Sequence, residues 1–246
     1  MNLSITKIST FLDCPRKYWY TYHMRIFTPK SSGFYFGSAV HQGLEYYYLG
    51  KDPMQGVKDA LYGEKSNASE EPVEGIDLSK LEYEAQRIFD KYSEAPYFKP
   101  LMVEHIFKVK LINPVTKEEL KVNFVGKMDL ITEDSKIVDH KTASSSPNGF
   151  FEAKNTLQAN GYSYAFLRMF GKLPGAFIFN TIIKGNTRRE PRFEPKQRKI
   201  QLGDICSFFN MSRYVLDAIL REETRNCPNR SHCRFCRFKS ICQFAI

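Results

Sequence analysis

The stretch from Leu101 to Thr142 constrains this chain more than any other. It contains LMVEHIFKVKLI, a turn at Asn113 to Lys117, ELKVNFVGKMDLIT and then the short run KIVDHKT. β-Branched and aromatic residues recur there in rough alternation, the period of a half-buried strand, so the spacing predicts a three-stranded meander.

The flanks predict helices. Residues 36–49 (FGSAVHQGLEYYYL), 79–93 and 150–170 read as helices, GAFIFNTII (175–183) as an apolar strand, and QLGDICSFFNMSRYVLDAILREE (201–223) as a long amphipathic helix. Residues 1–30 form an aromatic and basic opening, and the polar GEKSNASEEPVEGIDLS (63–79) reads as an exposed connection. Helix, sheet, helix, strand and helix in that order predict a mixed α/β core. At 246 residues and 42% apolar content the chain buries one substantial core, so a single domain over 1–246 is expected.

Some classes are argued against at once. No apolar run is long enough to span a bilayer, and MNLSITKISTFLDCPRK lacks the pattern of a secretory leader, so a cytoplasmic protein without membrane engagement is expected. No GxxxxGK[ST] motif is present, which argues against a self-contained helicase. The net charge is +9, with Lys184, Arg188, Arg189, Arg192, Lys196, Arg198 and Lys199 crowding one segment and no acid after Glu223. This asymmetry suits a polyanionic partner such as nucleic acid, although basic loops also serve solubility. The Lys184–Lys199 segment reads as a mobile loop whose Arg188 and Arg189 meet phosphates. Arg16, Lys17, Tyr18, Trp19 and Tyr20 mix cations with rings that either stack on unpaired bases or pack within a helix.

The chemistry concentrates at Gly126-Lys127-Met128-Asp129 and Asp139-His140-Lys141. Asp139 and Lys141 are two apart on a predicted strand and share one face, and Asp129 projects from the neighbouring strand. Phosphodiester hydrolysis needs such a set: carboxylates to hold Mg²⁺ or Mn²⁺, and an amine to orient or deprotonate water. A D-x-K triplet alone is equally a cross-face ion pair. Beside it stands His41, in Gly37-Ser38-Ala39-Val40-His41 with Glu45 one turn later, read here as a metal ligand.

Six cysteines in an intracellular chain point to metal or cluster ligation rather than disulfides. Cys233-x2-Cys236-x5-Cys242 lacks a fourth local ligand unless Cys227 joins it in a zinc site, and on spacing alone zinc and iron–sulfur stand level. Cys206 reads as a buried small hydrophobe.

In order and spacing, GSAVHQGLE, GKMDLI, VDHKT and Gln158-x3-Tyr162 resemble the RecB-like branch of the PD-(D/E)XK nucleases, which includes the AddB nuclease domain and the CRISPR-associated four-cysteine exonucleases. The resemblance runs from Cys14 to Cys242. It implies a PD-(D/E)XK core with a mixed central sheet flanked by helices, a helical elaboration and an iron–sulfur terminal subdomain. His41, Asp129, Asp139 and the His140 main-chain carbonyl would be metal ligands and Lys141 the catalytic lysine. Gln158 and Tyr162 would order the site and contact DNA, and Glu104 matches an acidic position of some relatives, for a second metal or behind the first. Cys14, Cys233, Cys236 and Cys242 would hold a 4Fe-4S cluster joining residues 1–30 to 224–246, with structural zinc as the rival. Asp139 stands where many relatives carry Glu, and His140 where an apolar residue is common.

The implied activity is a Mg²⁺- or Mn²⁺-dependent exonuclease on single-stranded DNA or duplex ends, in recombination, end processing, phage DNA metabolism or CRISPR adaptation. A helicase, recombinase or CRISPR integrase would be a fitting partner. The rival readings are a catalytically silent DNA-binding scaffold and a zinc-stapled interaction module.

Overall fold

The meander forms as its alternation predicts. In the computed structural model, which describes residues 1–26, 28–63, 75–146, 149–223, 233–234 and 236–244 (149–154 as backbone), β2 (Pro100–Ile112) runs antiparallel to β3 (Glu119–Thr132). β3 runs antiparallel to β4 (Ile137–Ala143), but over only two pairs, Leu130↔Val138 and Ile131↔Ile137.

The chain then crosses through α6 (Gly149–Phe170) to β5 (Phe177–Ile183), which lies parallel to β4. β6 (Arg192–Arg198) adds antiparallel to β5, and β1 (Asn2–Leu3) pairs parallel with β3. The result is one six-stranded mixed sheet in the order β1-β3-β4-β5-β6, with β2 also on β3. β5 is buried at every position, which explains why it is apolar on both faces except at Asn180 and Thr181: it is covered on both sides.

Two groups of helices do the covering. Phe177 and Phe179 of β5 join the core formed with α6, α1 (Ile5–Asp13) and α7 (Leu202–Leu220), where Phe124, Tyr164 and Phe208 are buried. Ile182 joins Val40, Leu44, Val57 and Ile88 of α3 (Ser32–Tyr48), α4 (Pro53–Tyr62) and α5 (Leu78–Lys91). Alternate residues of one strand thus serve opposite faces, and α3 to α5 form the helical elaboration.

Several expectations need correction. The helix expected from residue 36 starts at Ser32, because the Ser31 side chain accepts from the Phe34 N–H and caps it. α1 and α4 were not among the expected helices. The connection over 63–79 lies mostly outside the described residues, and α5 begins within its last residues, at Leu78 behind an Asp77 cap.

The Lys184–Lys199 segment is a hairpin rather than a loop. Gly185 turns the chain at φ +69°, a value glycine adopts without strain, and Asn186 bridges Arg189. The Arg87 guanidinium ties the turn to α5 through Asn186 O (3.1 Å) and Arg189 O (3.3 Å), and Lys184 pairs with Glu84 at 2.8 Å. The strand escaped notice because β6 is an edge strand: it tolerates Pro195 and a charged outer row.

The two ends of the chain meet. Behind α2 (Pro15–Tyr18) a π-helical turn over Trp19–His23 brings Tyr20 onto Phe238, with ring centroids 5.2 Å apart. The Tyr20 hydroxyl donates to Ile241 O at 3.2 Å, and the Arg237 guanidinium to the Thr21 hydroxyl at 3.1 Å. Trp19 is half-buried beneath the Arg16 guanidinium, 4.3 Å above its ring. Cys14 and Cys233 are buried, whereas Cys227 lies outside the described residues. No described helix is long and apolar enough to cross a membrane.

Candidate active site

Asp129 and Asp139 enter the site where β3 and β4 part. Continuing their register would set the two carboxylates directly opposite, yet the pairing stops one step short. Like charges facing each other across a ladder repel, and here the strands open instead. The His140 N–H, deprived of a strand partner, donates to Asp129 Oδ2 at 2.8 Å.

Asp139 and Lys141 share a face as their spacing requires, with Lys141 Nζ 2.7 Å from Asp139 Oδ2. The other oxygen of Asp139 accepts from Gln158 Nε2 of α6 at 2.8 Å. Asp139 is 1% exposed, and burial lifts its carboxyl to about 6, against the opposing pull of the Lys141 ammonium.

α3 brings His41 in from the side. Gly37, one turn earlier, faces Thr142 at the end of β4, and His41 Nδ1 reaches to 3.5 Å from Asp129 Oδ2. Burial, and then the Lys141 charge, push His41 below the usual imidazole range, so its ring is neutral and free to donate a lone pair.

Glu104 completes the cluster. In a strand otherwise extended it stands at φ +50°, a left-handed conformation costing a non-glycine residue about 1–3 kcal/mol. Its flanking pairs, Val103↔Leu130 and His105↔Met128, set it beside Asp129. One ligand atom each of His41, Glu104 and Asp129 lies within 4.8 Å of the others, and Lys127 contacts the Glu104 carboxylate. Burial raises both carboxyls, Asp129 and Glu104.

The remaining expected residues take varied places. The His140 side chain points to the α3 face, where it stacks on Tyr48 (5.8 Å, 21°) with Asn180 Nδ2 3.0 Å from its Nδ1. Tyr162, one turn after Gln158, packs edge-on to Phe107 at 5.8 Å, and a Cβ on Gly126 would lie 2.7 Å from Phe107 and 3.4 Å from Tyr162. Gly126 therefore lets α6 lie close to β3. Arg188 and Arg189 are exposed on the β5–β6 turn. Lys127 and Asn180 were not singled out as site residues. Lys127 stands two residues before Asp129, hence on its face, and Asn180 is the lone amide in an apolar strand.

Carboxylates gathered at a strand fork, a lysine two residues beyond one of them, and a neutral imidazole together define a phosphodiesterase-type site on an α/β sheet. The chain belongs to the PD-(D/E)XK nuclease superfamily, whose model matches residues 2–243. Among solved structures it is similar to a candidate exonuclease from Eubacterium rectale, at 16% identity and a TM-score of 0.61, covering 89% of this chain and 80% of that one. At that identity the likeness shows the fold. SSO0001 aligns over 98% of this chain and 97% of its own at 12% identity, but its TM-score of 0.39 is too low to bear on the fold. No curated protein matches.

Proposed function

We propose that this chain is a Mg²⁺- or Mn²⁺-dependent deoxyribonuclease that digests single-stranded DNA or DNA ends. The observation that carries this reading is the meeting of His41, Glu104 and Asp129 within 4.8 Å at the fork beside Asp139 and Lys141. The donor chemistry fits a hard divalent ion: oxygens dominate, and one neutral imidazole is added.

His41, Asp129 and Asp139, with the His140 main-chain carbonyl, would hold the ion, and Glu104 stands close enough to join them. When bound, it supplies charge stabilisation at the scissile phosphate and acidifies water. Lys141 orients the attacking water and stabilises the charge that develops on the phosphate. Gln158 holds Asp139 in place, and the His140 N–H does the same for Asp129. Gln158 and Tyr162 together with Arg188 and Arg189 flank the path proposed for DNA.

Digestion of end-labelled single-stranded and duplex DNA with Mg²⁺, Mn²⁺ or EDTA, wild type beside Asp129→Ala, tests this. Metal-dependent degradation lost in the variant is expected, and the two labels give the polarity. DNA bound but uncut under every condition would replace the reading with the silent scaffold.

The finer assignment is to the RecB-like four-cysteine branch, with Cys14, Cys233, Cys236 and Cys242 on a 4Fe-4S cluster. Its support is the packing of Tyr20 and Thr21 on Arg237, Phe238 and Ile241 and the burial of Cys14 and Cys233. Thiolates suit such a cluster, and its role there is structural. Equimolar iron and acid-labile sulfide in anaerobically purified protein are expected; zinc in their place would select the zinc staple. The settings that fit are cytoplasmic recombination, end processing, phage DNA metabolism or CRISPR adaptation, beside a helicase, recombinase or integrase.

A further inference from the structure

A groove of about 500 Å³ opens beside the metal-ligand cluster, within the usual size of a small-molecule site. Gly33, Phe34, Gly37, Ser38, Gln42 and Glu45 of α3 line one side, and Glu104 and Lys127 line the other, with His41 at its inner end. Phe34 is 43% exposed whereas Tyr35 and Phe36 after it are buried, and Lys30 Nζ lies 4.9 Å from its ring centroid. Its contact with the core is one edge-to-face meeting with Tyr35, at 6.1 Å between ring centroids, which leaves much of the ring to solvent.

We propose that this groove takes one unpaired nucleobase of the substrate strand, stacked on Phe34, next to the phosphate being cut. The proposal rests on the nuclease reading of the adjoining cluster and specifies the substrate class.

Three features select a base over a phosphate. An exposed aromatic ring offers a stacking platform, which any base accepts. Glu45 on the α3 wall repels a phosphate, whereas Ser38 and Gln42 offer donors and acceptors to a base edge. The cation of the groove, Lys127, stands on the side of Glu104 and Asp129, where the phosphate must lie for cleavage.

The groove also excludes the duplex interior. In paired DNA each base is covered above and below by its neighbours, so Phe34 meets only a base of a single strand or of a frayed end. Single-stranded DNA is the preferred substrate for this reason.

The test pairs binding with kinetics on the full-length protein: wild type, Phe34→Ala, Phe34→Trp and, as a control, Tyr83→Ala, an exposed ring on α5. In EDTA, single-stranded oligonucleotides carrying 2-aminopurine at successive positions are titrated with each protein. Wild type changes the fluorescence at one position; Phe34→Ala loses the change, while Phe34→Trp and Tyr83→Ala keep it. With Mg²⁺, Phe34→Ala raises KM for single-stranded DNA about 5- to 100-fold with kcat little changed. Wild-type fluorescence and KM in Phe34→Ala would overturn the proposal. A position-specific signal without cleavage by any protein would instead overturn the nuclease reading and leave the base site standing.

Discussion

Among the described residues the Lys141 ammonium pairs with Asp139, at the open end of the strand fork. Lys141→Ala is expected to lower kcat about 10²- to 10⁴-fold while DNA affinity stays close to wild type. Equal activity in the variant would remove the lysine from the mechanism. Asp139 carries a different signature. Its carboxyl titrates near 4 in the unfolded chain and at about 6 when folded, so between those values the folded state holds the extra proton. Stability of the metal-free protein then falls as pH rises from about 4 to 6, by about 3 kcal/mol in total. Asp139→Asn carries no such charge. It should melt higher than wild type at pH 7 in EDTA, lose the difference near pH 4, and cut no DNA; thermal melts from pH 4 to 8 read this directly.

At the scale of elements, the proposed site depends on how closely α6 lies on the sheet. Gly126 leaves room for Phe107 and Tyr162, and α6 in turn carries Gln158 to Asp139. Gly126→Val should cost about 1–3 kcal/mol through overcrowding and shift α6 with its amide. The expected result is a lower melting temperature together with a lower kcat; an unchanged kcat would show that Gln158 does not need this seat. The β3–β4 fork itself is a device of two elements. Two residue pairs hold the strands together, and beyond them the backbone N–H of His140 donates to the Asp129 carboxylate of the other strand.

For the whole molecule, the decisive feature is that the two ends of the chain pack on each other. Tyr20, Thr21, Phe238 and Ile241 form that junction, and the cysteines of the proposed cluster lie in the same two segments. A link between Cys14 and the 233–242 turn closes a loop of nearly the entire chain, a large restriction on the unfolded state. Cys236→Ser is expected to yield colourless protein with little iron and a poor folding yield. A well-folded, colourless and fully active variant would contradict a structural cluster.

Local periodicity made the meander, the apolar β5 and the long α7 legible, because a repeat of two or of 3.6 is complete within a few residues. The same alternation placed Asp139 and Lys141 on one face, and the motif order identified His41 and Asp129 as their company. What only the tertiary structure decided are matters of distant contact. β6 became a strand because β5 offered it an edge, despite its charge and Pro195. Glu104 lies with His41 and Asp129 because its strand turns into a left-handed conformation beside Asp129. His140 turned away to Tyr48 and Asn180, and Phe34 was left partly exposed beside a groove. Such contacts join residues far apart in the chain, and no short-range pattern encodes the angle at which two packed elements meet.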